Sequence, residues 1–197
     1  MIKLGLTGSI GMGKSTTASM FRDAGIPVWD ADAAVHELYS TGGAAVGPIQ
    51  SLFPHAIVEN AVSRDALKQI IQSDPNALPA IEQIVHPLVA DHRADFIAAH
   101  PDAELVVFDI PLLFETGADA WLDKVLVVSC PPDIQAERVL SRGTMTPEQF
   151  ELIRSRQMPD AEKRARADYV IETLTLDGTA ADVRHLISDL TNGANHA

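Results

Sequence analysis

Short apolar runs and longer amphipathic stretches alternate along this chain from its first residues. Ile2 to Leu6, Pro27 to Trp29, Glu104 to Phe108, Lys124 to Ser129 and Tyr169 to Glu172 are short, apolar and rich in β-branched residues. Runs of this kind suit strands of a parallel sheet covered on both faces. Between them, apolar positions recur at helical spacing over Lys14 to Ala24, Ala31 to Tyr39, Arg64 to Ala99, Asp133 to Ser141, Pro147 to Arg156 and Ala180 to Leu190. Pro75, Pro79 and Pro87 are expected to break the third of these. Strand alternating with helix predicts an α/β fold, a three-layer, doubly wound parallel sheet of five strands. Residues 41–100 are too long for one crossover and carry no clear strand, so they read as a helical insertion beside the sheet. The tail "TNGANHA", with His196, reads as frayed and without a role.

Composition narrows the class. At 197 residues, with 46% of them hydrophobic, the chain has material for one full core with an inserted subdomain. No apolar run approaches the roughly 18 to 20 residues that cross a bilayer, and "MIKLGLTG" lacks the basic and small-residue features of a signal peptide. A cytoplasmic protein is therefore expected, with no membrane partner. The single cysteine, Cys130, excludes an internal disulfide and a Cys-based metal site, and is expected as a buried thiol at a strand end. A net charge of −12 argues against a general nucleic-acid binder, which needs a cationic face. Seven of the 15 Lys and Arg nevertheless fall between Arg138 and Arg166, against four acidic residues there. A small polyanion could be met in that segment.

The stretch "GLTGSIGMGKST" carries the chemistry. Gly8-x4-Gly13-Lys14-Ser15 is the phosphate-binding loop pattern, set between an apolar strand and a helix as such a loop requires. Gly11 and Gly13 let backbone N–H groups turn inward on phosphate oxygens. Lys14 reaches the β and γ phosphates, and the Ser15 hydroxyl ligates Mg²⁺. Gly8, Met12 and Thr16 complete the ATP-binding set. A GTPase would read guanine through an Asn-Lys-x-Asp segment, and no asparagine here is followed by Lys. A small-molecule kinase fits better than a GTPase switch or an ATP-driven machine.

Further groups sharpen that reading. "VWDAD" sets Asp30 and Asp32 just beyond the second strand, at the carboxyl end where open α/β sheets bind ligands. Phosphoryl transfer to an alcohol calls for a carboxylate there to orient the hydroxyl and take its proton. One of the pair is expected to cap the next helix, and Asp30 reads as that cap or as a ligand of Mg²⁺-bound water. Asp109, ending the strand in "LVVFDIPLLFE", is placed to steady the water shell of Mg²⁺. Leu112, Leu113 and Phe114 read equally as core or as the wall of an acceptor pocket, with Leu113 assigned to the core. Arg138 and Arg142 are spaced one helical turn apart before Gly143, so both guanidiniums are expected on one face, as lid cations for the transferred phosphoryl. His86, in "EQIVHPLV", reads on spacing alone as a packing residue at a helix break.

Taken together these segments resemble the dephospho-CoA kinase family. The likeness runs through "GLTGSIGMGKST", "DAD" at Asp30 to Asp32, Arg64, "IVHP" at Ile84 to Pro87, "DIPLLFE" at Asp109 to Glu115, "ERVLSR" at Glu137 to Arg142 and "RQMPDAEKRARADYVI" at Arg156 to Ile171. The phosphate loop is shared by many families; "HP" and "PLLFE" in this order single out one. The resemblance implies a P-loop NTPase core at 1–40, 101–137 and 167–197, a helical substrate subdomain at about 41–100 and a lid at about 138–166. It implies ATP as co-substrate with Mg²⁺ and dephospho-CoA as the small-molecule partner; the oligomeric state leaves no mark in the sequence, and a monomer is favoured. By the same likeness, Asp32 is the base that orients the acceptor, Lys14 and Ser15 meet phosphate and Mg²⁺, and Arg138 or Arg142 supplies lid charge. Arg64, His86 and Leu112 become substrate contacts. Two departures stand out. Thr173 occupies the place of an expected Asn, with the following Gly delayed to Gly178, and Arg154 and Arg156 sit one position off the family spacing before Gln157.

The expected reaction is in-line transfer of the γ-phosphoryl of ATP to the ribose 3′-hydroxyl of dephospho-CoA, giving coenzyme A and ADP. The alternatives are a kinase of another small alcohol or nucleotide, and a nucleotide-binding regulatory protein without transfer chemistry.

Overall fold

The computed structural model describes residues 1–193; the expectation for the tail at Asn195 and His196 lies outside the described residues. In chain order its elements are β1 (Ile2–Thr7), α1 (Lys14–Asp23), β2 (Val28–Asp30), α2 (Ala31–Tyr39) and α3 (Val46–Leu52). A short hairpin follows, β3 (Ile57–Val58) and β4 (Ala61–Val62), then α4 (Arg64–Ser73), α5 (Ala77–Ala98) and β5 (Leu105–Asp109). The chain continues through β6 (Lys124–Ser129), α6 (Pro132–Leu140), α7 (Pro147–Arg156), α8 (Asp160–Arg166), β7 (Tyr169–Glu172) and α9 (Leu176–Gly193).

The five-stranded parallel sheet runs β2-β5-β1-β6-β7, with helices on both sides. β1 is central, in parallel register with β5 on one side and β6 on the other, and Leu6 stands opposite Asp109. On the far side of β6, Ser129 stands opposite Glu172 of β7. Parallel register therefore brings Thr7, Asp109, Ser129 and Glu172 out at one edge, the edge at which ligands bind in open α/β sheets. Leu4, Leu6, Val107, Leu126 and Val128 point into the main core, where they meet Ala18 and Phe21 of α1 and Val183, Leu186 and Leu190 of α9. Strands buried on both faces explain why the sequence runs are continuously apolar rather than alternating.

The chain forms two compact units, Met1–Trp29 with the chain from His100 on, and Asp30–Ala99. The second has its own core, built from Leu38, Ile49, Val62, Leu67, Ile81 and Val85 among others.

Several local expectations are corrected here. Pro79 and Pro87 do not break the helix; α5 runs through both for 22 residues. Pro79 lies in the first turn, where an N–H has no intrahelical partner to lose. Pro87 deprives the exposed Gln83 carbonyl of one bond, and buried Ile81 and Val85 hold the helix across that gap. The insertion was expected to carry no strand, yet it contains the β3–β4 hairpin, turned by Glu59 and Asn60 at φ 50° and 61°. Positive φ at both central residues is what a tight hairpin demands, and Asn accepts it more readily than most residues. α9 begins at Leu176 rather than Ala180, because the Thr175 hydroxyl accepts the Gly178 N–H at 3.1 Å and caps the helix ahead of that glycine. α3 and α8 were not foreseen as helices.

Candidate active site

The loop after β1 is shaped by glycine at two points. Gly11 and Gly13 adopt φ 80° and 90°, a region open to glycine at little cost. A Cβ on Gly13 would also meet the Thr173 hydroxyl at 2.9 Å, so the loop and the end of β7 are packed too closely for any side chain there. Lys14, Ser15 and Thr16 open α1, whose first N–H groups and dipole face the loop. Thr17 folds its hydroxyl back onto the Gly13 carbonyl at 3.1 Å. Ser15 and Thr16 are exposed, and Ser15 has no partner among the described residues.

The Lys14 ammonium is held by the Asp109 carboxylate at 2.5 Å, with the Asp109 side chain 3% exposed. Asp109 closes β5 beside β1, so the pairing follows directly from sheet register. Met12 is buried, its sulfur accepting the Cys130 N–H at 3.1 Å. Cys130 is a buried free thiol, as expected; burial pushes its pKa up in spite of the Arg138 guanidinium nearby.

Thr173 joins three parts of the site. Its hydroxyl donates to the Met12 carbonyl at 2.8 Å and accepts from the Arg138 Nη1 at 2.9 Å, while Arg138 Nη2 bonds the Thr173 carbonyl. The residue in place of the expected Asn thus spends its side chain bracing the phosphate loop and fixing Arg138. The shared face expected for Arg138 and Arg142 is not formed: α6 ends at Leu140, and Arg142 lies in the turn beyond it. Both arginines nevertheless line one cleft of about 350 Å³, together with Gly11, Gly13, Thr16 and Thr173. A second cleft of about 530 Å³ lies under α7 and α8, bounded by Ser9, Met12, Gln135, Arg154, Gln157 and Asp160.

The segment from 138 to 166 is less cationic in space than in sequence. Arg154 pairs with Glu151 at 2.7 Å, Arg164 with Glu172 at 3.2 Å, and Arg166 with Asp119 at 2.8 Å. Wholly buried Lys163 pairs with Glu115 at 2.9 Å. Burial raises the Glu115 carboxyl, but Lys163 and the Met158 N–H outweigh burial and hold its pKa below the ordinary value.

The remaining candidates lie in the Asp30–Ala99 unit, apart from Leu112. Asp30 caps α2 by accepting the Ala33 N–H at 2.9 Å. Asp32, two residues on, is exposed and has no partner among the described residues. Arg64 opens α4 with its guanidinium over the Tyr39 ring at 5.9 Å, beside a hollow of about 390 Å³ that His36 and Thr41 also line. His86 is exposed on α5 and does not line that hollow. After β5, Leu113 is fully buried, as its assignment to the core expected, while Leu112 is 42% exposed. Reading residues by motif missed Thr173 as a brace, and it gave no role to Gln135, Gln157 or Lys163. No local pattern marks them, because each acts through a partner more than 30 positions away.

Comparison with known proteins converges on one family. The family model described as "CoaE: Dephospho-CoA kinase" matches residues 2–177. A dephospho-CoA kinase of Jannaschia sp. is 61% identical over 96% of this chain and 97% of its own, and one of Ruegeria pomeroyi is 59% identical over 99% and 98%. A crystal structure from Thermus thermophilus superimposes with a TM-score of 0.84 at 35% identity, covering 96% of this chain and 98% of that one.

Proposed function

The chain belongs to the dephospho-CoA kinase family, and on that premise we propose how its residues divide the work of phosphorylating the ribose 3′-hydroxyl of dephospho-CoA. The activity itself, a kinase step of coenzyme A biosynthesis, stands on identity along nearly the whole chain. The observation that carries the mechanism is the loop at the carboxyl end of the central strand, with the Lys14 ammonium brought to it by Asp109.

ATP lays its β and γ phosphates against the N–H groups of the Gly8 to Thr16 loop and the start of α1, where the helix dipole favours negative charge. Lys14 turns from Asp109 toward these phosphates. Ser15 and Asp109 offer hard oxygen donors suited to Mg²⁺, the first exposed and unpartnered among the described residues, the second reached once Lys14 turns away. The ion, when bound, neutralises charge on the phosphate oxygens. Asp32 accepts a hydrogen bond from the ribose 3′-hydroxyl and takes its proton as the oxygen–phosphorus bond forms. The bond to the bridging oxygen of ADP breaks in line on the far side. Arg142, which no carboxylate holds among the described residues, is the lid cation free to meet the transferred group; Arg138 stays on Thr173 and shapes the cleft wall. Arg64, His86 and Leu112 contact dephospho-CoA, Arg64 through an anionic or ring group that shares the hollow with Tyr39. Residues 138–166 act as the lid, and 41–100 as the substrate subdomain.

A cytosolic enzyme is the setting that the composition supports, and no helix among the described residues is long and apolar enough to cross a membrane. The test is ADP release from Mg·ATP with and without dephospho-CoA, with the product identified by mass. One coenzyme A per ADP supports the reading; ATP binding without acceptor-dependent ADP overturns it.

A further inference from the structure

The phosphate loop is gripped from outside on both sides of Ile10, at two successive peptide groups. The Ile10 N–H donates to Gln157 Oε1 at 3.1 Å, and the peptide's next carbonyl, that of Ile10, accepts from Gln135 Nε2 at 2.7 Å. Gln135 sits on α6 and is 3% exposed. Gln157 follows α7 as its C-cap, with the extended backbone that turns the chain toward α8. The neighbouring Met158 N–H donates to Glu115 Oε1 at 2.8 Å, and the same oxygen holds Lys163 of α8. Adjacent residues of the α7–α8 elbow are thus tied to the phosphate loop and to the segment after β5, the strand that ends in Asp109.

The N–H groups of this loop are its working parts, and their aim depends on the peptide planes staying fixed. Gly11 and Gly13 give the following planes freedom to rotate, so an anchor at Ile10 constrains what the glycines leave loose. An amide oxygen is suited to the task. A carboxylate at position 157 would accept the same N–H but would set a negative charge beside a triphosphate.

We infer that Gln157 is a positioning residue for phosphoryl transfer: its amide oxygen fixes the Ile10 peptide and so registers the α7–α8 elbow on the phosphate loop. The inference rests on the loop being the phosphate cradle of the kinase reading above. Registration of the elbow excludes water from the γ-phosphate when the cleft closes, so its loss uncouples ATP consumption from coenzyme A formation.

The experiment follows ADP and coenzyme A separately in the full chain. Gln157→Ala is expected to lower kcat about three- to tenfold, the worth of one hydrogen bond. The KM for ATP and for dephospho-CoA should stay within about twofold, with Tm unchanged and ADP formed in excess of coenzyme A. Gln157→Glu keeps an oxygen at the same reach. It should restore one coenzyme A per ADP while raising the KM for ATP several-fold through its charge. Parent kcat and one-to-one stoichiometry in Gln157→Ala overturn the inference. So does a fall in kcat that tracks a fall in Tm and that Gln157→Glu does not correct. Lys14→Ala separates the two levels of the argument. If it abolishes transfer while Gln157→Ala is unchanged, the kinase reading stands and only the inference falls; if it turns over normally, the cradle reading falls as well.

Discussion

The candidate site residues of the two units are held in different ways. Around the phosphate loop Lys14 is committed to Asp109, Thr173 to Met12 and Arg138, Gln135 and Gln157 to Ile10, Lys163 to Glu115. In the Asp30–Ala99 unit, Asp32 and His86 are exposed without partners among the described residues, and Arg64 leans only on the Tyr39 ring. The first arrangement holds the loop preorganised, and in the proposed reading only Lys14 is reordered, leaving Asp109 for the phosphates. The second leaves its charges solvated until a ligand takes them, so the free energy of ordering them falls on substrate binding. In the proposed division of work, the first unit holds the nucleotide phosphates and the second is completed by the acceptor.

Substitutions can break that contrast, and the largest effect is expected at Asp32. Asp32→Asn removes the proton acceptor without touching the nucleotide unit; kcat should fall about 10²- to 10⁴-fold with ATP affinity kept. Near-normal turnover would remove Asp32 from the chemistry. Arg64→Ala comes next. A contact of a solvated cation with an anionic substrate group should raise the KM for dephospho-CoA about tenfold and leave the KM for ATP within twofold. A parallel rise in both constants would mean that the two units do not divide the substrates. The third sharpens the contrast from the committed side. Glu115→Gln leaves buried Lys163 without its counter-charge and should cost about 3 kcal/mol of stability at neutral pH, read by denaturant unfolding. Because the Glu115 pKa lies below its ordinary 4.5 in the folded chain, its contribution is complete above that value and is lost as pH falls through the depressed one. The gap between parent and variant should therefore narrow below pH 4.5. A gap that stays constant down to pH 3 would show that the pair is not its source.

What could be read in advance follows the same division. The five strands and the phosphate loop were legible because they rest on local pattern: continuous apolar runs, and glycines at fixed offsets before Lys14. Two strands, β6 and β7, and two helices, α2 and α7, have the bounds that the pattern assigns. Proline misled at Pro79 and Pro87, where its position in the first turn and the burial of its neighbours outweighed its breaking tendency. The pairing of spaced arginines misled at Arg142, since α6 stops before reaching it. The bracing residues were illegible for a deeper reason. Thr173 and Met12 are 161 positions apart, and only the closing of the sheet makes them neighbours. In the Asp30–Ala99 unit, Asp32 was singled out by its place just beyond the second strand, and there it is exposed with no partner among the described residues.

The ion pairs of α7 and α8 also bear on how substrates arrive. Arg154, Lys163, Arg164 and Arg166 each meet a carboxylate, so what reads as a basic band along the chain is largely cancelled in space. The chain as a whole carries −12. Two anionic reactants thus approach a like-charged body with only short-range attraction at the cleft to draw them in. Added salt, which usually slows steered encounters, should here screen a repulsion and hasten capture until it begins to compete for the cradle itself.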